Sequence, residues 1–219
     1  MNTNEEGMRV ERLTDKIYHL LFKQKQRLGQ TFCRAQEHYE GPNLRGKVFT
    51  MEEFIDDYVN RKGKFNYFDY WDGFNIPSSS LKPLIEGRFN PLTKKETGLV
   101  DMFRSVPHPY YVIGTLDADK TGTLTHEIGH GLYFTIPDYK KDVADVLRHV
   151  TRRVRARIDT FLRKEGYHPA VWEDETHAYL LSASSCLTKA GIDREQLKPH
   201  SKALRAIFKE HYARERITA

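Results

Sequence analysis

His126-Glu127-Ile128-Gly129-His130 sets two imidazoles four residues apart, with a carboxylate beside the first. On a helix, positions i and i+4 lie one above the other on the same face, close enough to hold one metal ion. Zinc takes imidazole nitrogen at about 2.0–2.1 Å and prefers four ligands, so two histidines one turn apart supply half a site. Glu127, adjoining the first ligand, is then placed to take a proton from a water on the metal. The chemistry that suits this constellation is metal-assisted hydrolysis, with His126 and His130 as metal ligands and Glu127 as catalytic base.

The pattern is short, yet random placement of 10 His and 16 Glu among 219 residues yields only about 0.03 occurrences. Its flanks sharpen it. From Thr123 to Leu132 every residue outside the three functional ones is uncharged. A surface helix that had merely collected two histidines would alternate them with Lys, Glu or Gln. An uncharged helix carrying these groups is a buried one, and buried polar groups need partners.

The stretch TLTHEIGHGL resembles the extended signature of the zincin metallopeptidases. The metzincin branch requires glycine at position 133 and histidine at 136, where this chain has Tyr133 and Ile136. The gluzincin branch takes its third ligand from a Glu on a later helix. The segment Trp172-Glu173-Asp174-Glu175-Thr176-His177-Ala178-Tyr179-Leu180 is similar to the acidic run that follows the HExxH helix in gluzincin-like families. By that resemblance Glu175 is the third ligand, with Glu173 and His177 as rivals. Glu175, Ala178, Tyr179 and Ser182 also share one helical face, and a small Ala beside the ligand lets two helices approach closely.

The resemblance implies a helix-rich α+β fold with a zincin-like core and a small sheet preceding the HExxH helix. It implies Zn²⁺ as cofactor and a zinc-dependent endo- or aminopeptidase that takes a peptide or protein substrate. Three protein ligands with an open fourth position are the mark of a catalytic zinc rather than a structural one. Glu127 would return its proton to the leaving amine. Tyr179, His177, Tyr139 and His168 are the candidate oxyanion donors, and Asp142, Asp145 and Asp174 the candidate acceptors for the outer nitrogens of the histidines. In such enzymes an edge strand pairs with the extended substrate, and 110–116 is the candidate for it. Two other readings remain open. One is a zinc hydrolase acting on a non-peptide bond. The other is a metal-stabilised regulatory module that engages a protein or nucleic acid through its basic helix.

Around these residues, helical spacing of Val10, Leu13, Ile17, Leu20 and Leu21 predicts a helix over 8–28 that ends before Gly29. Capping-box patterns at Thr50–Glu53 and Thr93–Glu96 open helices to about Asn60 and Arg104, the first closed by Gly63. The aromatic stretch 65–75 reads as short extended segments and loops, possible packing for a groove wall. His108 to Leu116 is the clearest strand, followed by a turn at 117–122. A long helix from Pro137 to Lys164, a third from Pro169 to Lys189 and a last from Asp193 to Arg214, interrupted at Pro199, complete the chain. One domain over 1–219 is expected, with a mixed lobe at 1–105 and a mostly helical, metal-binding lobe at 106–219.

The composition, with 39% apolar and 30% charged residues, describes a soluble globular chain. No apolar run reaches the length of a membrane span, and the charged N-terminal segment is unlike a secretory signal, so a cytoplasmic protein with no membrane partner is expected. Cys33 and Cys186 are too few for a disulfide framework. The net charge of +5 is concentrated between Arg148 and Lys164. Those arginines fall on the polar face of an amphipathic helix, which argues for solvation and against nucleic acid as a partner.

Overall fold

The computed structural model describes residues 8–116, 123–182 and 184–216. Four strands form one mixed sheet in the order β1-β2-β4-β3: β1 (Met8–Arg12), β2 (Ile17–Phe22), β3 (Gly73–Pro77) and β4 (Tyr111–Leu116). β2 and β4 run parallel, while β1 and β3 are antiparallel to their neighbours. Helices make up most of the remaining described residues, so the chain is helix-rich α+β with a small sheet. Among the described residues no helix is long and apolar enough to cross a membrane.

The expected helix over 8–28 is replaced by β1, β2 and the start of α1 (Lys25–Glu40). Apolar residues here recur at every second position as well as at helical spacing. Thr14 turns the chain between the strands, its Oγ1 accepting from the backbone N–H of Lys16 and Ile17 at 3.2 and 3.0 Å. Gly29 is not a helix stop. It lies inside α1, where a Cβ would come within 3.0 Å of Phe68.

Both capping boxes form, opening α2 (Met51–Lys62) and α5 (Lys94–Phe103), and Gly63 closes α2 in the left-handed conformation. The aromatic stretch folds as a short helix, α3 (Tyr67–Tyr70), leading into β3, and Ser78–Ile85 forms an unexpected α4 with Pro83 inside it. β4 confirms the strand expected at 108–116 over its second part, but it lies in the sheet interior. The edge strands are β1 and β3, and β3 takes the position outside β4. The turn expected at 117–122 lies outside the described residues.

α6 (Thr123–Thr135) carries the histidine motif. The long helix expected next is two, α7 (Pro137–Leu147) and α8 (Arg152–Glu165), because Thr151 caps a new start by accepting from Val154 N–H at 3.3 Å. The third helix is likewise a 3₁₀ turn at Pro169–Val171, then α9 (Trp172–Ser182) and α10 (Ser184–Lys189). α11 (Arg194–Glu215) runs through Pro199 without interruption.

The sheet separates two apolar clusters. Leu20, Phe22, Phe74, Ile76 and Val112 face α1, α4 and α5, whereas Ile17, Tyr111 and Ile113 face α6 and the C-terminal helices. Strand alternation requires this division, since successive side chains leave opposite faces. β4, from the second expected lobe, is bonded on both sides by strands of the first.

One buried ion pair fixes α1 against α5. The Arg34 guanidinium donates to both Glu96 oxygens at 2.7 and 2.6 Å and to the carbonyls of Phe89 and Pro91 at 3.0 and 3.2 Å. Arg34 is 2% exposed and Glu96 fully buried, and Glu96 also closes the capping box of α5. Removing one partner leaves the other charge buried and uncompensated. Glu96→Ala is therefore expected to cost about 3–5 kcal/mol in urea denaturation, and Arg34→Met with Glu96→Leu markedly less. A loss below about 1 kcal/mol for Glu96→Ala would contradict this account.

Candidate metal centre

α6 packs on α9 at close range, and two small residues permit it. A Cβ at Gly129 would lie 2.8 Å from Leu181 Cδ2 and 3.3 Å from His177 Cε1, while Ala178 on α9 is fully buried. This approach brings one donor atom from each of His126, His130 and Glu175 within 4.8 Å of one another. The two Nε2 atoms are 3.2 Å apart. His130 Nε2 lies 3.5 Å from Glu175 Oε1, and His126 Nε2 lies 3.8 Å from Glu175 Oε2. Tetrahedral coordination at about 2.05 Å would separate two nitrogen ligands by about 3.3 Å, so the donor set fits a zinc-sized cation.

The outer nitrogens are held as metal ligands require. Ser182 Oγ donates to the Ala178 carbonyl at 3.0 Å, leaving a lone pair toward His126 Nδ1 at 3.2 Å. His130 Nδ1 lies 2.9 Å from Asp174 Oδ1. Each contact favours the proton on Nδ1 and leaves the Nε2 lone pair facing the centre. Of the three expected acceptors, only Asp174 serves: Asp142 pairs with His211 at 2.8 Å and Asp145 with Arg148. Ser182 was anticipated only as a residue on the Glu175 face of α9.

The rivals of Glu175 are engaged elsewhere. Glu173 is exposed and accepts from Tyr133 OH at 2.6 Å. His177 is fully buried, with Nε2 at 2.7 Å from Tyr139 OH and Nδ1 at 3.5 Å from Asp174. That contact also removes His177 and Tyr139 as oxyanion donors, and His168 instead caps the 3₁₀ turn by accepting from Ala170 N–H. Tyr179 does line the cavity, its ring edge-on to His126 with centroids 5.0 Å apart. Its hydroxyl lies 3.3 Å from that of Tyr167, a second lining tyrosine that sequence reading missed.

Glu127 sits against the edge strand. A Cβ at Gly73 would lie 2.8 Å from Glu127 Oε1, and Glu127 Oε2 is buried without a hydrogen-bond partner. Burial pushes the Glu127 carboxyl above its ordinary range, against the pull of His126 and His130. Burial acts on His130 in the opposite sense, but Asp174 and Glu175 outweigh it and hold the imidazole well above its usual value. Asp174 is held well below the carboxylate range, burial notwithstanding, chiefly by His130 and His177.

The cavity has a volume of about 370 Å³, and α1 forms its far wall through Gln36, Glu37 and Glu40. None of these was identified from sequence, because the helix carrying them was read as ending at Gly29. A helix over 25–40 would have set Gln36 and Glu40 one turn apart on one face. Gln36 Nε2 donates to Glu40 Oε1 at 2.6 Å, and Gln36 Oε1 accepts from Asn75 N–H at 3.3 Å. The arginines of α8 line no part of this cavity. Cys33 and Cys186 are both free thiols. Comparison with family models, curated proteins and solved structures returns no match.

Two outcomes follow from this geometry. Glu175→Ala should strip zinc from the protein by elemental analysis and Glu173→Ala should retain it, while Asp174→Asn should weaken zinc by about 10- to 100-fold in a chelator competition. The reverse order for the two glutamates would move the site. The second outcome concerns Glu37, which burial raises, against Arg61, from 4.5 to about 7. A raised carboxyl holds its proton in the fold after the unfolded chain has lost it. Stability therefore falls as pH climbs between those two values. The melting temperature of Glu37→Gln should gain on the wild type from pH 5 to pH 8; a gap constant with pH would show that Glu37 titrates normally.

Proposed function

We propose that this chain is a zinc-dependent hydrolase of peptide bonds, of the gluzincin-like kind that TLTHEIGHGL and the later Asp174-Glu175 pair resemble. The observation that carries the reading is the convergence of His126, His130 and Glu175 within 4.8 Å, beside a buried Glu127 whose Oε2 has no hydrogen-bond partner among the described residues. Two imidazoles and one carboxylate are the ligand set of a hydrolytic zinc with a position left open. When bound, zinc supplies Lewis acidity that acidifies a water and polarises a carbonyl.

The remaining work falls to the chain itself. Glu127 takes a proton from the attacking water at Oε2, while Oε1 rests against Gly73 of the edge strand. It then returns that proton to the departing amine. The carbonyl oxygen, gaining charge as it is attacked, needs a donor aimed at it, and the hydroxyls of Tyr179 and Tyr167 line the same cavity. Ser182 and Asp174 keep both imidazoles in one tautomer. β3 offers the Gly73 end of its outer edge to an extended peptide. Asn75 N–H points outward to Gln36, so Gly73, two residues away, presents its N–H and C=O on the same side.

Glu127→Gln separates metal binding from chemistry. It should retain one zinc per chain, and hydrolysis of a peptide library should fall by about 10²–10⁴-fold. A zinc-loaded wild type that cleaves no peptide, or a Glu127→Gln protein as active as the wild type, would overturn the reading.

A further inference from the structure

Five acids line the cavity, Glu37, Glu40, Asp72, Glu127 and Glu175, and among the described residues no lysine or arginine does. Two of the five are balanced from outside: Glu37 by Arg61 at 3.1 Å and Asp72 by Lys25 at 2.7 Å. Glu127 and Glu175 belong to the metal centre. Glu40 is left over. Its Oε1 accepts only from the neutral Gln36 amide, and its Oε2 is buried with no hydrogen-bond partner. Tyr67, 1% exposed, lines the same cavity, with its hydroxyl beside the Glu37 carboxylate.

A buried carboxylate oxygen left open in this way marks the place of a donor that the described residues do not supply. We propose that Glu40, Tyr67 and Glu37 form a subsite for a primary ammonium group of the substrate, carried by a free N-terminus or by a lysine side chain. An ammonium brings three N–H donors on a compact charge, which suits the single open oxygen of Glu40 with the Tyr67 and Glu37 oxygens beside it. A guanidinium gains most from a carboxylate with both oxygens free for its fork, and Gln36 already occupies one of the Glu40 pair. A C-terminal carboxylate would meet a wall of like charge. The edge strand agrees with the end of a chain falling here. Gln36 takes the outward N–H of Asn75, so a peptide pairing beside Gly73 meets α1 instead of an open continuation of the edge.

The naming of a peptide rests on the hydrolase reading, whereas the ammonium subsite does not, so binding is measured apart from turnover. The probes are Ala-Ala-Lys-Ala-Ala and Ala-Ala-norleucine-Ala-Ala amides, each with a free and an acetylated N-terminus. They are titrated calorimetrically into zinc-loaded Glu127→Gln protein. If the N-terminus is the ligand, acetylation should weaken binding about 10- to 100-fold. If lysine is the ligand, norleucine should do so and acetylation should not. In either case Glu40→Gln and Tyr67→Phe should each erase most of the difference. Equal binding of all four peptides, or a preference that survives both substitutions, overturns the subsite. An ammonium preference in binding, with no cleavage by the wild type, would support the subsite and refute the hydrolase reading.

Discussion

Burial of ionisable groups whose hydrogen bonds do not close within the protein is the constraint on which this structure turns. Glu127, His130 and Glu175 are 5%, 1% and 2% exposed. Withdrawing such groups from water costs several kcal/mol each unless partners replace the solvent. His130 has Asp174 at ion-pair distance and Glu175 has both histidines, but among the described residues Glu127 Oε2 and Glu175 Oε2 accept no hydrogen bond. A fold tolerates this only if much else is well packed. The apolar flanks of α6 and the contact across Gly129 and Ala178 supply that packing, and the same contact sets the spacing of the donors.

The other wall depends on the sheet. β4 lies between β2 and β3, so strands from both halves of the chain align in one layer with α1 on one face and α6 on the other. Tyr111 on β4 donates its hydroxyl to Asn75 Oδ1 on β3, and the Asn75 N–H reaches Gln36 on α1. A single residue of the edge strand thereby joins the helix that carries the acids to the strand that precedes the histidine helix. Arg34, two residues before Gln36, is locked to Glu96, so the acidic wall inherits the rigidity of a core ion pair.

What was legible in the sequence had a local cause. The capping boxes at Thr50 and Thr93, the β-branched run of β4 and the i, i+4 histidines are specified within a few residues each, and all three appear. Glu175 was legible through its resemblance to a known acidic run and its share in one face with Ser182. The failures have a common origin. In residues 8–22 the apolar spacing satisfies both helix and strand periods, and only the pairing of β2 with β4 and of β1 with β2 decides between them. Gly29 resembled a terminator because the close approach of Phe68 that requires it is a tertiary fact. Misplacing α1 then concealed Gln36, Glu37 and Glu40 together. The break at Thr151 was readable in principle, since Thr is a good cap, but the apolar stripe of α7 and α8 continues across it.

The two histidines are not equivalent, although the motif presents them so. His130 is buried and backed by a carboxylate held in its charged form, and Asp174 is itself approached by His177, which Tyr139 fixes at 2.7 Å. An anionic acceptor strengthens the opposite nitrogen as a donor to a metal, and a chain of buried partners leaves the ring little freedom. His126 is backed only by the neutral Ser182 hydroxyl, and its side chain retains 14% exposure at the cavity. In a metal centre the inner histidine would thus serve as the anchor. The outer one, beside Tyr179 and open to the cavity, would be the one free to adjust as the contents of the cavity change.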